Sequence, residues 1–102
     1  MNTERIHNLK LDIEFCDAVL NGDKSFELRI NDRGFQKGDH IKFIPVRGSL
    51  PIVHEIAKAI FEITYVLNSH GLKEDYVCLA IKKCQPISCD LTDYELKNFI
   101  KE

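Results

Sequence analysis

The hydrophobic pattern changes its period at a single glycine, and this change most constrains the fold. Before Gly22, apolar residues recur at helical spacing, at Ile13, Cys16, Val19 and Leu20. After it, "SFELRI" alternates apolar and polar residues with the period of two typical of a β-strand. Asp12 is a suitable N-cap, and Gly22 a suitable end, because glycine enters the left-handed conformation without steric cost. The sequence predicts a helix over residues 12–21 followed by a strand.

The alternation in this strand predicts one buried face and one solvated face. The apolar set, which we expect to point into the core, consists of Phe26, Leu28 and Ile30. The polar set, which we expect to face solvent, consists of Ser25, Glu27 and Arg29. An exposed Arg29–Glu27 ion pair stabilises a fold by only ~0.5 kcal/mol. Since Lys24 precedes the same face, the residues leave two interpretations open: a solvated strand face or the floor of a binding site.

Four further segments are predicted to be strands: residues 6–11, 40–46, 52–68 and 76–84. Pro45 indicates an edge or a bulge in the second of these. Residues 52–68 fit a helix or a strand, but β-branched and aromatic residues in their second half favour one long strand, bulged near its middle. The tail carries a T-x-x-E capping box from Thr92 to Glu95, which predicts a short C-terminal helix packed by Leu96, Phe99 and Ile100.

These elements predict an α+β fold. Five strands with hairpin-like links cannot bury both faces of a flat sheet, so we expect a small five-stranded β-barrel with one helix after the first strand, plugging an end, and a short C-terminal helix. A chain of 102 residues supports one domain. Residues 1–88 are assigned to the barrel, and residues 89–102 to a helical tail packed on the same domain.

Net charge and hydropathy restrict the partners and the cellular location that we expect for this protein. The net charge of -2 excludes a protein that grips duplex DNA through an overall basic field. Residues 22–47 nevertheless carry six cations against four anions, so a local basic patch is compatible with the sequence. No apolar run is long enough to span a bilayer, and the N-terminus lacks the apolar core of a signal peptide. We therefore expect a cytoplasmic protein without a membrane partner.

Neither the cysteines nor the histidines have the spacing of a metal site. The four cysteines, expected to be free thiols, are Cys16, Cys78, Cys84 and Cys89. Cys78 lies inside an apolar run and is expected to be a small buried hydrophobe. His40, His54 and His70 show no ligand spacing with an acid or a thiol, so neither a metal nor a cofactor is predicted.

The stretch "NGDKSFELR" fits the pattern G-x-K-x-x-E-x-R. This pattern resembles the signature of the ASCH family, part of the PUA-like superfamily of small β-barrels. With "IHNLKL", "NDRGFQKGD" and "GLKEDYVCLAIKK", the chain is similar over residues 6–83 to a short bacterial and phage branch of that family, whose function is uncharacterised. The resemblance implies a PUA-like barrel.

PUA-like domains generally bind RNA, and in ASCH proteins a cleft between the helix and the barrel is proposed to receive RNA or a modified nucleotide. The resemblance implies that this cleft is lined by Gly22, Lys24, Glu27 and Arg29. Three further candidates are Arg33 in the following loop, His7, which matches a histidine of this branch, and Lys10 on the same strand. A lone strand histidine also fits a purely structural role. RNA or a modified nucleotide is therefore the expected partner.

The chemistry of these side chains suits a nucleotide. Lys24 can meet a phosphate as a point charge, and Arg29 can meet a phosphate or a base edge with its planar fork. Glu27 accepts hydrogen bonds and can read an exocyclic amino group. Phe35, in the loop after the strand, can stack on a base, but an aromatic residue among polar loop residues is more typical of a loop pinned to the core.

Two alternatives remain open. One branch of ASCH-like proteins hydrolyses acylated cytidines such as N4-acetylcytidine, with a lysine, a threonine three residues later and a downstream glutamate. Lys24 and Glu27 are then the catalytic candidates, but Glu27 stands at the threonine position, so the hydroxyl is missing. Ser25 is a nearby hydroxyl, and Glu62 or Glu74 are possible acids. The other alternative is a protein-interaction module in which the acidic tail covers a neighbour or the cleft.

Overall fold

The computed structural model describes residues 5–84, which form six strands, one α-helix and one 3-10 turn. In chain order the elements are β1 (Ile6–Asp12), α1 (Ile13–Leu20), β2 (Phe26–Ile30), β3 (His40–Arg47), β4 (Leu50–Pro51), the 3-10 turn (Glu55–Lys58), β5 (Phe61–Leu67) and β6 (Tyr76–Lys83). The predicted helix after the first strand is confirmed, and the Asp12 side chain accepts a hydrogen bond from the Glu14 N–H at 3.0 Å. The predicted C-terminal helix and the division at residue 89 lie outside the described residues.

All the strands belong to one sheet in the order β1-β3-β5-β6-β2, with the two-residue β4 paired to β3. β1 pairs with β3 in parallel, whereas the other ladders are antiparallel. β1 and β2, joined by the helix, lie at opposite edges of the sheet. The predicted hairpin-like link is wrong for β2 and β3, which do not pair, but β3 with β5 and β5 with β6 do pair antiparallel. The sheet curls into a half-barrel, and arginine side chains of β2 and its following loop reach the backbone of β1.

The core lies inside this curl. Its fully buried strand residues include Leu9, Ile41, Phe43, Ile63, Val77 and Leu79. α1 contributes Cys16 and Val19, and the 3-10 turn contributes Ile56. Phe35 is also buried in this cluster, its ring 4.7 Å from that of His7, so the prediction that it pins its loop to the core is confirmed.

The predicted orientation of β2 is wrong, although its alternation is right. Glu27 is only 5% exposed, whereas Leu28 is 53% exposed. Phe26 and Ile30 point outward with Leu28, and Arg29 points inward with Glu27. The antiparallel ladder explains this, because Glu27 lies opposite Leu79, whose side chain points into the core. Alternation determines which residues share a face, but it does not determine which face is buried.

The long strand predicted for residues 52–68 is confirmed only in its second half. There β5 has a bulge between Ile63 and Tyr65, as expected. The first half instead contains the 3-10 turn, because the Nδ1 atom of His54 accepts a hydrogen bond from the Ile56 N–H at 3.0 Å and caps it. The Nε2 atom of His54 lies 2.7 Å from a carboxylate oxygen of Asp17, which ties the turn to α1.

Pro45 lies in an interior strand rather than at the predicted edge. β3 pairs with β1 along its whole length and with β5 at His40 and Ile41. The Pro45 carbonyl accepts a hydrogen bond from the Ile52 N–H at 3.0 Å, on the side away from β1. Since the nitrogen of a strand residue points to the same side as its carbonyl, the missing N–H removes no bond to β1.

Candidate functional site

The end of α1 places Lys24 at the start of the site. Gly22 has a φ of 89°, in the left-handed region that glycine tolerates. Its N–H donates to the Val19 carbonyl at 3.3 Å, and the Lys24 N–H donates to the Ala18 carbonyl at 2.9 Å. These bonds satisfy carbonyls at the helix end, where the helix dipole favours a cation. The predicted position of Lys24 at the junction of helix and strand is confirmed.

The Lys24 ammonium is held by three kinds of contact. It donates to the Phe26 carbonyl at 3.1 Å and lies 3.5 Å from Oε1 of Glu27. It also lies 4.7 Å from the centre of the Phe26 ring and 5.3 Å from that of Phe15. Aromatic faces and oxygen acceptors both attract a cation, so Lys24 is a positioned positive charge.

Glu27 is the buried centre of the cluster. Its Oε2 atom lies 3.5 Å from Nη1 of Arg29, and its Oε1 atom lies 3.5 Å from Nζ of Lys24. Burial raises the pKa of Glu27, although the charges of Arg29 and Lys24 act to lower it. Within residues 5–84, buried Oε1 of Glu27 and Nη1 of Arg29 make no hydrogen bond. Both atoms are closed off from solvent, so a ligand can bond to them only if the surrounding side chains move.

Arginine side chains bridge the gap between the two edge strands, which we call the seam. Nη2 of Arg29 donates to the Lys10 carbonyl at 3.3 Å, and Nη1 of Arg33 donates to the Asn8 carbonyl at 3.2 Å. An open cleft of about 330 Å³ lies along the seam. The residues that line this cleft are Leu9, Leu28, Arg29, Ile30, Asp32, Arg33 and Tyr76. Arg29 lines this cleft and contacts Glu27, whereas Gly22, Lys24 and Glu27, which were also expected to line it, are not among its lining residues.

His7 and Lys10 are placed differently from the other candidates. His7 is buried, and its Nε2 atom lies 2.9 Å from Oδ2 of Asp39. Burial tends to raise the pKa of Asp39, but hydrogen bonds from His7, the Gln36 N–H and Arg5 outweigh it, so this pKa is lowered. His7 therefore joins β1 to the start of β3 as a structural residue. Lys10 offers its backbone carbonyl to Arg29.

Tyr76 and Asp39 are the residues that sequence reasoning did not include in this region. Tyr76 begins β6 and lies opposite Ile30, which brings its ring to the cleft through a pairing between residues far apart in sequence. Asp39 accepts a hydrogen bond from the Gln36 N–H at 3.1 Å in addition to its contact with His7. The signal in the sequence for this contact was His7, because a buried histidine needs a hydrogen-bonding partner such as a carboxylate.

The hydrolase alternative stays a prediction. Glu62 lies on the outer face of β5, opposite Lys82, whereas Glu27 points into the curl. Glu74 precedes β6, whose first residue pairs with Ile30, at the end of β2 away from Lys24. In the part of the chain that the structure describes, no three His, Cys, Asp or Glu side chains form a group that could hold a metal ion. The eight-residue α1, the α-helix of this part, is too short to cross a membrane.

Comparison with known proteins places the chain in a family. The model of a family described as a domain of unknown function, DUF3850, matches residues 6–81. An uncharacterized 12.9 kDa protein from the GpA 3' region of Escherichia phage P2 is 33% identical over 82 residues. That match covers 74% of this chain and 66% of the phage protein. The family match spans the half-barrel and the whole Lys24–Glu27–Arg29 cluster. The chain therefore belongs to the DUF3850 family.

Proposed function

We propose that this chain is an ASCH-like domain of the PUA-like type and that its seam binds a nucleotide, free or within single-stranded RNA. The observation that carries this proposal is the buried Glu27–Arg29 pair, in which Oε1 and Nη1 make no hydrogen bond within residues 5–84. Burying charged groups without full hydrogen bonding costs free energy, and a ligand that supplies the missing partners would recover part of that cost. The curled sheet and the helix after β1 agree with the ASCH resemblance.

Once the surrounding side chains move to admit a ligand, these two atoms suit a base edge that carries an amino group beside a ring acceptor. Oε1 of Glu27 would accept from the exocyclic amino group, and Nη1 of Arg29 would donate to the neighbouring ring nitrogen. Cytosine and adenine both present this arrangement, whereas uracil has no exocyclic amino group. We therefore expect binding to prefer cytosine or adenine over uracil.

The remaining charges and the aromatic residue suit the rest of the nucleotide. Arg33 is 44% exposed at its side chain and lines the cleft, so it can meet a phosphate. Lys24 adds a second cation at the other side of Glu27. Tyr76 offers a ring at the far end of the cleft, on which a base can stack.

The proposal is tested by fluorescence anisotropy with short homopolymeric RNA oligonucleotides of C, A and U over a range of salt concentrations. We expect K24A to weaken binding to all three RNAs and to lower the salt slope by about 0.7 to 1, as for one lost phosphate contact. E27L, which removes the acceptor at this position, should reduce the preference for C and A over U, by an amount on the order of 1–3 kcal/mol.

The matched control is K42A, which removes an exposed lysine on β3 that is not part of the cluster. It should change neither affinity nor base preference. R29K keeps the charge but loses the fork, so it should weaken base preference more than it changes the salt slope. Absence of binding to all three RNAs and to the free nucleotides, or an equal loss for K42A and K24A, would contradict the proposal.

A further inference from the structure

The outer side of the sheet carries an apolar surface that borders the seam, because Leu28 and Ile30 belong to both. We call it the outer apolar face, and its members are Phe26, Leu28, Ile30, Tyr65, Leu67 and Cys78. They lie in register across three strands. Phe26 and Tyr65 both pair with Ala80, and Leu28 and Leu67 both pair with Cys78. Phe26, Leu28 and Ile30 are 46%, 53% and 52% exposed, and Tyr65 is 61% exposed.

Two local features put these side chains outside. The first is the reversed orientation of β2, which turns Glu27 and Arg29 inward and its three large apolar residues outward. The second is the bulge of β5 between Ile63 and Tyr65. Without this bulge, Tyr65 would lie on the same side as buried Ile63, because side chains alternate along a strand. An apolar patch that spans three strands is typical of a surface that another segment covers.

We infer that residues 89–102 of this chain cover the outer apolar face. The described chain ends just after β6, at Cys84, whose N–H donates to the Ile60 carbonyl at 2.8 Å. Two residues before Cys84, Lys82 pairs with Glu62. The next residue back along β6 that points to the outer side is Ala80, which lies opposite both Phe26 and Tyr65. The chain therefore leaves the sheet beside the Phe26 end of the face. Residues 85–88 can span about 13 Å when extended, and together with residues 89–91, ahead of the predicted helix, about 23 Å, which is enough to turn back onto the face.

The sequence of this segment fits the face in length, polarity and charge. Leu96, Phe99 and Ile100 share one side at helical spacing, after the capping box that starts at Thr92. A helix over residues 92–102 would be about 16 Å long. β2 from Phe26 to Ile30 spans about 13 Å. The segment also carries Asp90, Asp93 and Glu95 ahead of this apolar stripe. Lys24, whose ammonium lies 4.7 Å from the Phe26 ring, provides a cation for them at the same end.

Cys78 is a natural probe of this inference, because it lies in the middle of the outer apolar face. The full chain is labelled with iodoacetamide in its native state, and the rate at each cysteine is read by peptide mass spectrometry. F99D should speed the labelling of Cys78 about tenfold or more, since a segment docked ~90% of the time slows access by that factor. N98D, which adds the same charge beside the stripe, should leave the rate unchanged.

Cys16 serves as the internal folding control, because it is completely buried in the core. Its labelling should stay slow in both variants, so faster labelling at Cys78 alone reports exposure of the face. Equal Cys78 rates in the wild type, N98D and F99D would overturn the inference. A Cys78 rate that falls with rising protein concentration and ignores F99D would instead assign the face to a second copy of the chain.

Discussion

Oε2 of Glu27 lies 3.5 Å from Nη1 of Arg29, and both side chains point from β2 into the curl of the sheet. Lys24 flanks the same carboxylate on its other side. Although two cations surround it, the pKa of Glu27 is raised, because the loss of hydration outweighs their attraction. The cluster is thus a buried charged group whose hydrogen bonding is incomplete, and this property leads to the first prediction.

E27Q should remove a pH-dependent loss of stability. The pKa of Glu27 is raised above its ordinary value of 4.5, so the unfolded chain releases this proton first as the pH rises. The free energy of unfolding of the wild type should therefore fall from pH 4.5 up to the folded-state pKa, by about 1.4 kcal/mol for every pH unit by which the pKa is raised. The amide that E27Q introduces does not titrate, so the variant should lack this fall.

Urea denaturation between pH 4 and pH 7 measures this difference between the wild type and E27Q. The difference should grow from about pH 4.5 upward and then level off. E27D, which keeps a titrating carboxyl at this position, is the matched control and should retain a fall. Parallel curves for the wild type and E27Q over this range would show that Glu27 does not titrate differently in the two states.

D39N should destabilise the protein at neutral pH and lose its effect in acid. The pKa of Asp39 is lowered below its ordinary value of 3.8, so the ionised carboxyl contributes stability above pH 3.8 and loses it as the pH falls through the folded-state pKa. D39N weakens hydrogen bonds from His7, Arg5 and the Gln36 N–H. We expect a loss of about 1.5–3 kcal/mol in the free energy of unfolding at pH 7.

The control for D39N is D32N, seven residues earlier in the same loop. The Asp32 side chain is 65% exposed and lies 3.6 Å from Arg33. An exposed pair of this kind contributes little, so D32N should cost less than about 1 kcal/mol. Thermal or urea denaturation of both variants at pH 7 measures the difference. Equal losses would mean that the His7–Asp39 contact does not stabilise the fold.

G22A should destabilise the protein through the backbone alone. Gly22 has a φ of 89°, and nothing lies within 4 Å of an added Cβ, so no collision contributes. The left-handed conformation costs an alanine about 1–2 kcal/mol, and asparagine less. G22N is therefore the matched control, and its free energy of unfolding should lie between those of the wild type and G22A. A G22A protein as stable as the wild type would contradict a strict requirement for this conformation.

Substitutions on the two sides of the sheet should differ sharply in cost. Leu79 is fully buried opposite Glu27, so L79A should lower the free energy of unfolding by about 2–5 kcal/mol. Leu28, one residue from Glu27 on β2, points outward, and L28T should cost less than about 1 kcal/mol. Urea denaturation measures both. If L28T lowered the free energy of unfolding more than L79A, the result would support the opposite orientation of β2, in which Leu28 is buried as its hydrophobic pattern predicts.

Local features explain which parts of the site could be predicted. The helix end at Gly22 and the alternation after it depend on backbone conformation and on residues close in sequence, so Lys24, Glu27 and Arg29 were correctly expected to lie together. Tyr76 could not be predicted as part of the cleft, because only the pairing of β6 with β2 brings it beside Ile30. The partnership of His7 with Asp39 also depends on contacts between distant segments.

The sequence by itself determined the order of the longer strands and of the first helix, the end of that helix, and the sets of residues that share a face of β2. The tertiary structure alone decided which set of β2 is buried, because a period of two is the same for either orientation. Pairing with β6 placed Glu27 beside Leu79, inside the curl, and left Leu28 outside. The incompletely bonded Glu27–Arg29 pair follows from that choice between two faces, and the outer apolar face follows from it together with the bulge of β5.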